Sequence, residues 1–77
     1  MWQIRYSLRA TAGIYLIPRG IAGNVSEAIK ALISNPQAGE QIEGRLNTYR
    51  IRPEGHTVEY EVIKTGEPQL IVILNIE

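Results

Sequence analysis

Residues 47–62, NTYRIRPEGHTVEYEV, alternate apolar and polar side chains in two runs separated by a turn. In the first run Tyr49 and Ile51 share one face, with Arg50 and Arg52 on the other. In the second, Val58, Tyr60 and Val62 alternate with Thr57, Glu59 and Glu61. A period of two marks strands with one buried face. Because a one-residue slip moves every side chain to the opposite face, both patterns hold together when Ile51 sits beside Val58, which makes PEGH (53–56) a four-residue turn. A three-residue turn with Gly55 in the left-handed region is the competing geometry, and it flips one strand. The stretch also poses the functional question. Arg50 and Arg52 either grip a phosphate backbone or neutralise Glu59 and Glu61 across a hairpin.

Working outward, TGEP (65–68) is a turn and QLIVILNI (69–76) a last strand, whose unbroken apolar run predicts a central position with both faces buried. At the amino end Trp2, Ile4 and Tyr6 alternate with Gln3, Arg5 and Ser7, and Ser7 is placed to cap a helix that starts at Leu8. That helix, LRATAGIYLI, should end before Pro18, because proline disfavours helical geometry in the residue preceding it. A second helix is expected over about Ile21–Ser34, where Ile21, Val25, Ala28, Ile29, Leu32 and Ile33 form one stripe. Asn24 is a candidate N-cap, with Glu27 three residues on. SNPQAGEQIEG (34–44) reads as a loop. The order strand, helix, helix, then three strands predicts an α+β fold: an antiparallel meander with both helices on one face, the first strand joined to it. Trp2, Ile4, Ile29, Leu32, Ile51, Val58, Tyr60, Ile71 and Ile73 are its expected core.

The 77 residues make a single domain, 1–77, near the lower limit for an independent core. Without cysteine there is no disulfide framework and no thiolate metal site, and His56 is the only histidine. The expectation is therefore no metal and no cofactor. No apolar run approaches the roughly 20 residues needed to cross a bilayer, and MWQIRYS lacks an export-signal pattern, which points to the cytoplasm. Eight Lys and Arg balance eight Glu, giving zero net charge. Dedicated nucleic-acid binders usually carry a positive excess, because neutralising phosphates supplies most of their affinity.

Among residues able to do chemistry, Arg50 and Arg52 lead, with Arg45 upstream. Two guanidinium forks two residues apart on a strand suit bridging phosphates. The opposing reading pairs them with Glu59 and Glu61, each pair worth a fraction of a kcal/mol. His56 could serve as a general acid or base, but a turn position with no evident partner reads as a solvated residue. Tyr49 and Tyr60 could stack on bases, but their alternation places them in the core. The glycines fit no phosphate loop. The first helix has no charge between Arg9 and Arg19, and its apolar residues extend past a single stripe. Ile14 and Tyr15 are thus expected in an interface, with a homodimer through this helix as one outcome; the opposing reading is that the last strand and the loop after the second helix cover this surface.

IRYSLRA opening into a helix, AIKALISNPQAG closing a second, YRIR, and VEYEV before an apolar last strand together resemble the RelE/ParE superfamily of bacterial toxins. The resemblance spans nearly the whole chain in order. It implies a type II toxin–antitoxin origin, a prokaryotic host and an antitoxin protein as partner. RelE-type members cleave mRNA on the ribosome without a metal, and ParE-type members poison DNA gyrase. By this resemblance Arg50 and Arg52 match the first pair of catalytic basic residues, with Arg45 beside them for nucleic acid. The next basic position falls in His56-Thr57-Val58, where Thr57 replaces the arginine, and Glu59 adds a carboxylate. The sequence finishes at Glu77, before the family's final arginine and tyrosine. The resemblance therefore implies a toxin whose ribosome-dependent mRNA cleavage is weak or lost. The alternatives are a non-catalytic module that binds an antitoxin or itself, and a ParE-like gyrase inhibitor.

Overall fold

The computed structural model describes all residues, 1–77. Alternating side chains build β1 (Trp2–Tyr6). Ser7 ends it in an extended conformation (φ −68°, ψ 165°), and its hydroxyl accepts the Ala10 N–H at 3.0 Å, capping α1 (Leu8–Tyr15). The helix stops two residues short of the expected Ile17. Leu16 and Ile17 instead donate three residues back, to the Gly13 and Ile14 carbonyls, tightening the last turn ahead of Pro18. Helix α2 (Arg19–Lys30) starts earlier than expected, because the Pro18 carbonyl accepts from both Ile21 and Ala22. Asn24 therefore lies inside the helix and caps nothing. Its amide donates to Glu54 Oε1 at 2.8 Å. A 3₁₀ turn, Ala31–Ile33, completes the helical layer.

The remaining strands are β2 (Glu40–Gln41), β3 (Thr48–Ile51), β4 (Val58–Ile63) and β5 (Gln69–Ile76). They form one sheet in the order β1-β5-β4-β3-β2. The expected α+β class holds, with three corrections of detail. β1 does join the sheet, but it runs parallel to β5, from Trp2 opposite Gln69 to Tyr6 opposite Ile73, so the sheet is mixed. Second, β2 adds an edge strand inside the stretch expected to be a loop. Third, β5 is interior, with neighbours on both edges, yet only one of its faces is covered by helices. Ile71, Ile73 and Ile76 are buried beneath them, while Leu70, Val72 and Leu74 on the uncovered side are half-buried.

The β3–β4 register is the one the alternation demands, Ile51 opposite Val58. Between them Pro53–Gly55 makes a tight turn, closed by the His56 N–H on the Pro53 carbonyl, with Glu54 and Gly55 at positive φ. Thr57, between that turn and β4, exchanges both backbone bonds with Glu77, one residue past the end of β5.

The core lies between the sheet and the helices. Ala10, Ile17, Val25, Ile29 and Leu32 meet Val58, Tyr60, Val62, Ile71, Ile73 and Ile76. Trp2, Ile4 and Ile51, expected inside, are partly buried at its margin, on β1 at one edge of the sheet and near the end of β3. Two glycines on the helices differ in consequence. A Cβ at Gly13 would run into the Ile76 carbonyl, so α1 lies on β5 only because residue 13 has no side chain. Gly23 faces open space. Urea unfolding should separate them: Gly13→Ala is expected to cost about 1–3 kcal/mol through overpacking, whereas Gly23→Ala should stabilise by about 0.4–1 kcal/mol.

Candidate functional site

The uncovered sheet face carries a row of alternating charge. Glu40 on β2 stands opposite Arg50 on β3, and Arg50 stands opposite Glu59 on β4. The Arg50 Nε donates to Glu40 Oε1 at 2.7 Å, and a second guanidinium nitrogen meets the same oxygen. Arg45, on the loop after β2, reaches Glu59 Oε2 at 3.5 Å. The carboxylates thus take both arginines, but not in the pairing read from the sequence. Glu61 faces Thr48 across the ladder, and Arg52 lies beyond it in the turn, exposed and without an acidic partner. Glu40 was missed because two residues of alternation between glycines give too little period to read as a strand.

All these groups are at least partly exposed, so each pair contributes only a fraction of a kcal/mol to stability. Their effect is on availability. Guanidinium donors aimed at a carboxylate are not aimed at a phosphate, and a polyanion approaching Arg50 must displace or repel Glu40.

His56 is not the free turn residue expected. Its ring is half-buried, and Nδ1 lies 3.1 Å from the Glu77 carbonyl oxygen. Tyr49 and Tyr60 belong to the core, with ring centroids 5.7 Å apart and planes 22° from parallel, which leaves neither face of that stack free for a base. Of the proposed interface pair on α1, Tyr15 is 83% exposed, but Ile14 packs against the core.

No protein-family model matches the chain, and no curated protein matches its sequence. Solved structures do. The toxin–antitoxin complex RelBE from E. coli aligns with a TM-score of 0.79 at 17% identity, over 95% of this chain and 90% of that chain. The RelBE2 complex from Mycobacterium tuberculosis gives 0.79 at 23% identity, over 96% and 93%. A YoeB/ParE toxin from Agrobacterium tumefaciens gives 0.80 at 15% identity, over 97% and 95%. The chain has the RelE/ParE toxin fold.

In this version of the fold Tyr60 also holds the second half of the chain together. Its hydroxyl accepts the Gly39 N–H at 3.0 Å, so β2 is fastened to β4 through the core. A Cβ on Gly39 would strike both the Arg50 carbonyl and this hydroxyl, which fixes glycine at the entry to β2 and so the position of Glu40. Burial pushes the Tyr60 phenol above its usual value. The Gly39 hydrogen bond opposes that rise and Tyr49 adds to it. A raised folded-state value means that this contribution to stability is complete below about pH 10 and is lost as pH rises through the folded value. The decline in urea midpoint between about pH 9 and about pH 11 should therefore be shallower in Tyr60→Phe than in the parent. At neutral pH the variant should be weaker by about 1–3 kcal/mol, because the Gly39 N–H loses its acceptor.

Proposed function

We propose that this chain is the toxin component of a RelBE-type toxin–antitoxin module, bound by an antitoxin protein in the cytoplasm of a prokaryote, with ribosome-dependent mRNA cleavage weak or lost. The module assignment is supported by the alignment with RelBE complexes over nearly the full length of both chains. The weakened activity rests on one observation. Arg50, the site arginine that the resemblance makes catalytic, is held by Glu40 on the neighbouring strand.

Cleaving RNA without a metal requires positive groups to stabilise charge developing at the phosphate, and a proton donor for the leaving oxygen. Arg50 and Arg45 each face a carboxylate, Thr57 brings no charge, and Arg52 stands apart in the turn. Residues 34–77, which include four of the five strands, hold seven glutamates against four Lys and Arg, a net charge of minus three. That field opposes a polyanion. The same neutralised face favours a second reading, an interaction module of this fold that binds its partner without toxicity.

Purified chain incubated with programmed ribosomes tests the reading, cleavage being mapped by primer extension. The expected result is no codon-dependent cleavage, and no change on Arg50→Ala or Arg52→Ala. Efficient cleavage abolished by either substitution overturns it. Induction in a bacterial host, with growth followed, separates toxin from interaction module. Freeing the arginine should also be measurable. Glu40→Gln is expected to tighten binding of a single-stranded RNA by roughly 3–10-fold at low salt, read by fluorescence anisotropy, with the gain shrinking as salt rises.

A further inference from the structure

Helix α1 has two apolar faces. Ala10, Gly13, Ile14 and Ile17 turn toward the sheet, and Leu8, Ala12, Tyr15 and Leu16 fall on the opposite side of the helix at i, i+4, i+7 and i+8. Leu8, Tyr15 and Leu16 are 91%, 83% and 85% exposed. One helix facing a small sheet needs a single stripe, so the second is unpartnered in this chain. On the far side of the molecule the sheet shows its own uncovered apolar strip, Ile63, Leu70, Val72 and Leu74.

Charge decides what can cover these two faces. From Leu8 through Ser26 the chain has no acidic residue, and neither Arg9 nor Arg19 forms an ion pair. Two copies packed α1 against α1 would therefore bring four arginines together with no counter-charge. The acidic excess lies in residues 34–77. On the uncovered face Glu61 stands beside Val72 without an ionic partner, while Glu59 and Glu40 carry theirs. Arg5 is the one cation of β1 on that face, and it is turned to Gln3.

We propose that the chain associates with itself head to tail, the outer stripe of α1 in one copy packing on the uncovered sheet face of the next. Apolar strip meets apolar strip, and the unpaired Arg9 and Arg19 of one copy can approach Glu61, the unpaired carboxylate on the sheet face of the next. Each sheet then has helices on both faces, the arrangement that the continuous apolar run of β5 calls for. Because the two surfaces differ, the contact is heterologous and extends past a pair or closes into a ring. The proposal does not depend on toxin activity.

Sedimentation of the full chain over a range of concentrations is the test. The mass should rise beyond twice the 8.6 kDa of one copy. Tyr15→Glu disables the helix face and Glu61→Arg the sheet face, each weakening self-association at least tenfold. Mixed together, the two variants should form a one-to-one pair, since each retains the surface the other has lost. Circular dichroism confirms that each variant folds, with Leu8→Glu and Val72→Lys as replacements if one does not. A monomer at every concentration overturns the proposal. So does a plateau at two copies, which marks a symmetric pair, or a Glu61→Arg variant that associates as the parent does, which takes the sheet face out of the contact.

Discussion

Ser7 is the joint on which the fold turns. Its N–H donates to the Ile73 carbonyl, extending the β1–β5 ladder by one bond, and its hydroxyl donates to the Leu74 carbonyl at 2.8 Å while accepting from Ala10. Leu74 is the extra residue of a bulge. On β4, Tyr60 pairs with Ile73 and Glu59 with Asn75, so Leu74 has no partner there. A bulge leaves backbone groups outside the ladder, and an unsatisfied buried carbonyl is expensive. One hydroxyl thus ends β1, begins α1 and satisfies the kink in β5. The bulge in turn lets Ile76 return to the covered face beneath Gly13, where α1 lies closest to the sheet. The junction lies between residues distant in sequence, so it forms only when the two ends of the chain meet.

That junction sets the layout of the uncovered sheet face. With both helices on one side of the sheet, the polar half of every alternating strand is left on the other side, and there Arg50, Glu59 and Glu40 line up across three strands. Arg50 is paired because β2 supplies a carboxylate, and β2 is placed by Gly39 and the Tyr60 hydroxyl. A buried tyrosine is therefore linked to the ion pairing of Arg50 at the surface through a chain of identifiable contacts.

Much of this was legible in the sequence, and the failures have physical causes. Alternation over 47–62 was long enough to set the β3–β4 register, and the stripe from Val25 to Leu32 identified the core face of α2. Ser7 read correctly as a cap because its side chain acts on the next turn. The parallel pairing of β1 with β5 was not readable, since no local pattern reports the direction of a neighbour so distant in sequence. Two residues of β2 were too few for a period. Asn24 failed as a cap because Pro18, whose carbonyl needs no side chain to start a helix, had already begun it. At the candidate site the arginines do meet carboxylates, but not the ones the alternation suggested. Arg50 was expected to pair with Glu59, but Glu40 stands on its other side with the better geometry.

The last strand joins the fold argument to the functional one. Helices on one side bury Ile71, Ile73 and Ile76, yet Leu70, Val72 and Leu74 are equally apolar and face the same sheet's other side. A strand selected only to hold this domain together would alternate, as β4 does with Glu59 and Glu61. Apolar residues on the open face keep part of their surface in water, which raises the chain's tendency to associate. The continuous run therefore reads as a requirement set by contact rather than by folding. Charge is divided in the same sense, with unpaired arginines on the helical layer and the glutamate excess in the strand-rich part. Two apolar faces on opposite sides of one small domain, with unpaired arginines beside one and the unpaired Glu61 beside the other, give each copy a surface suited to covering the other's.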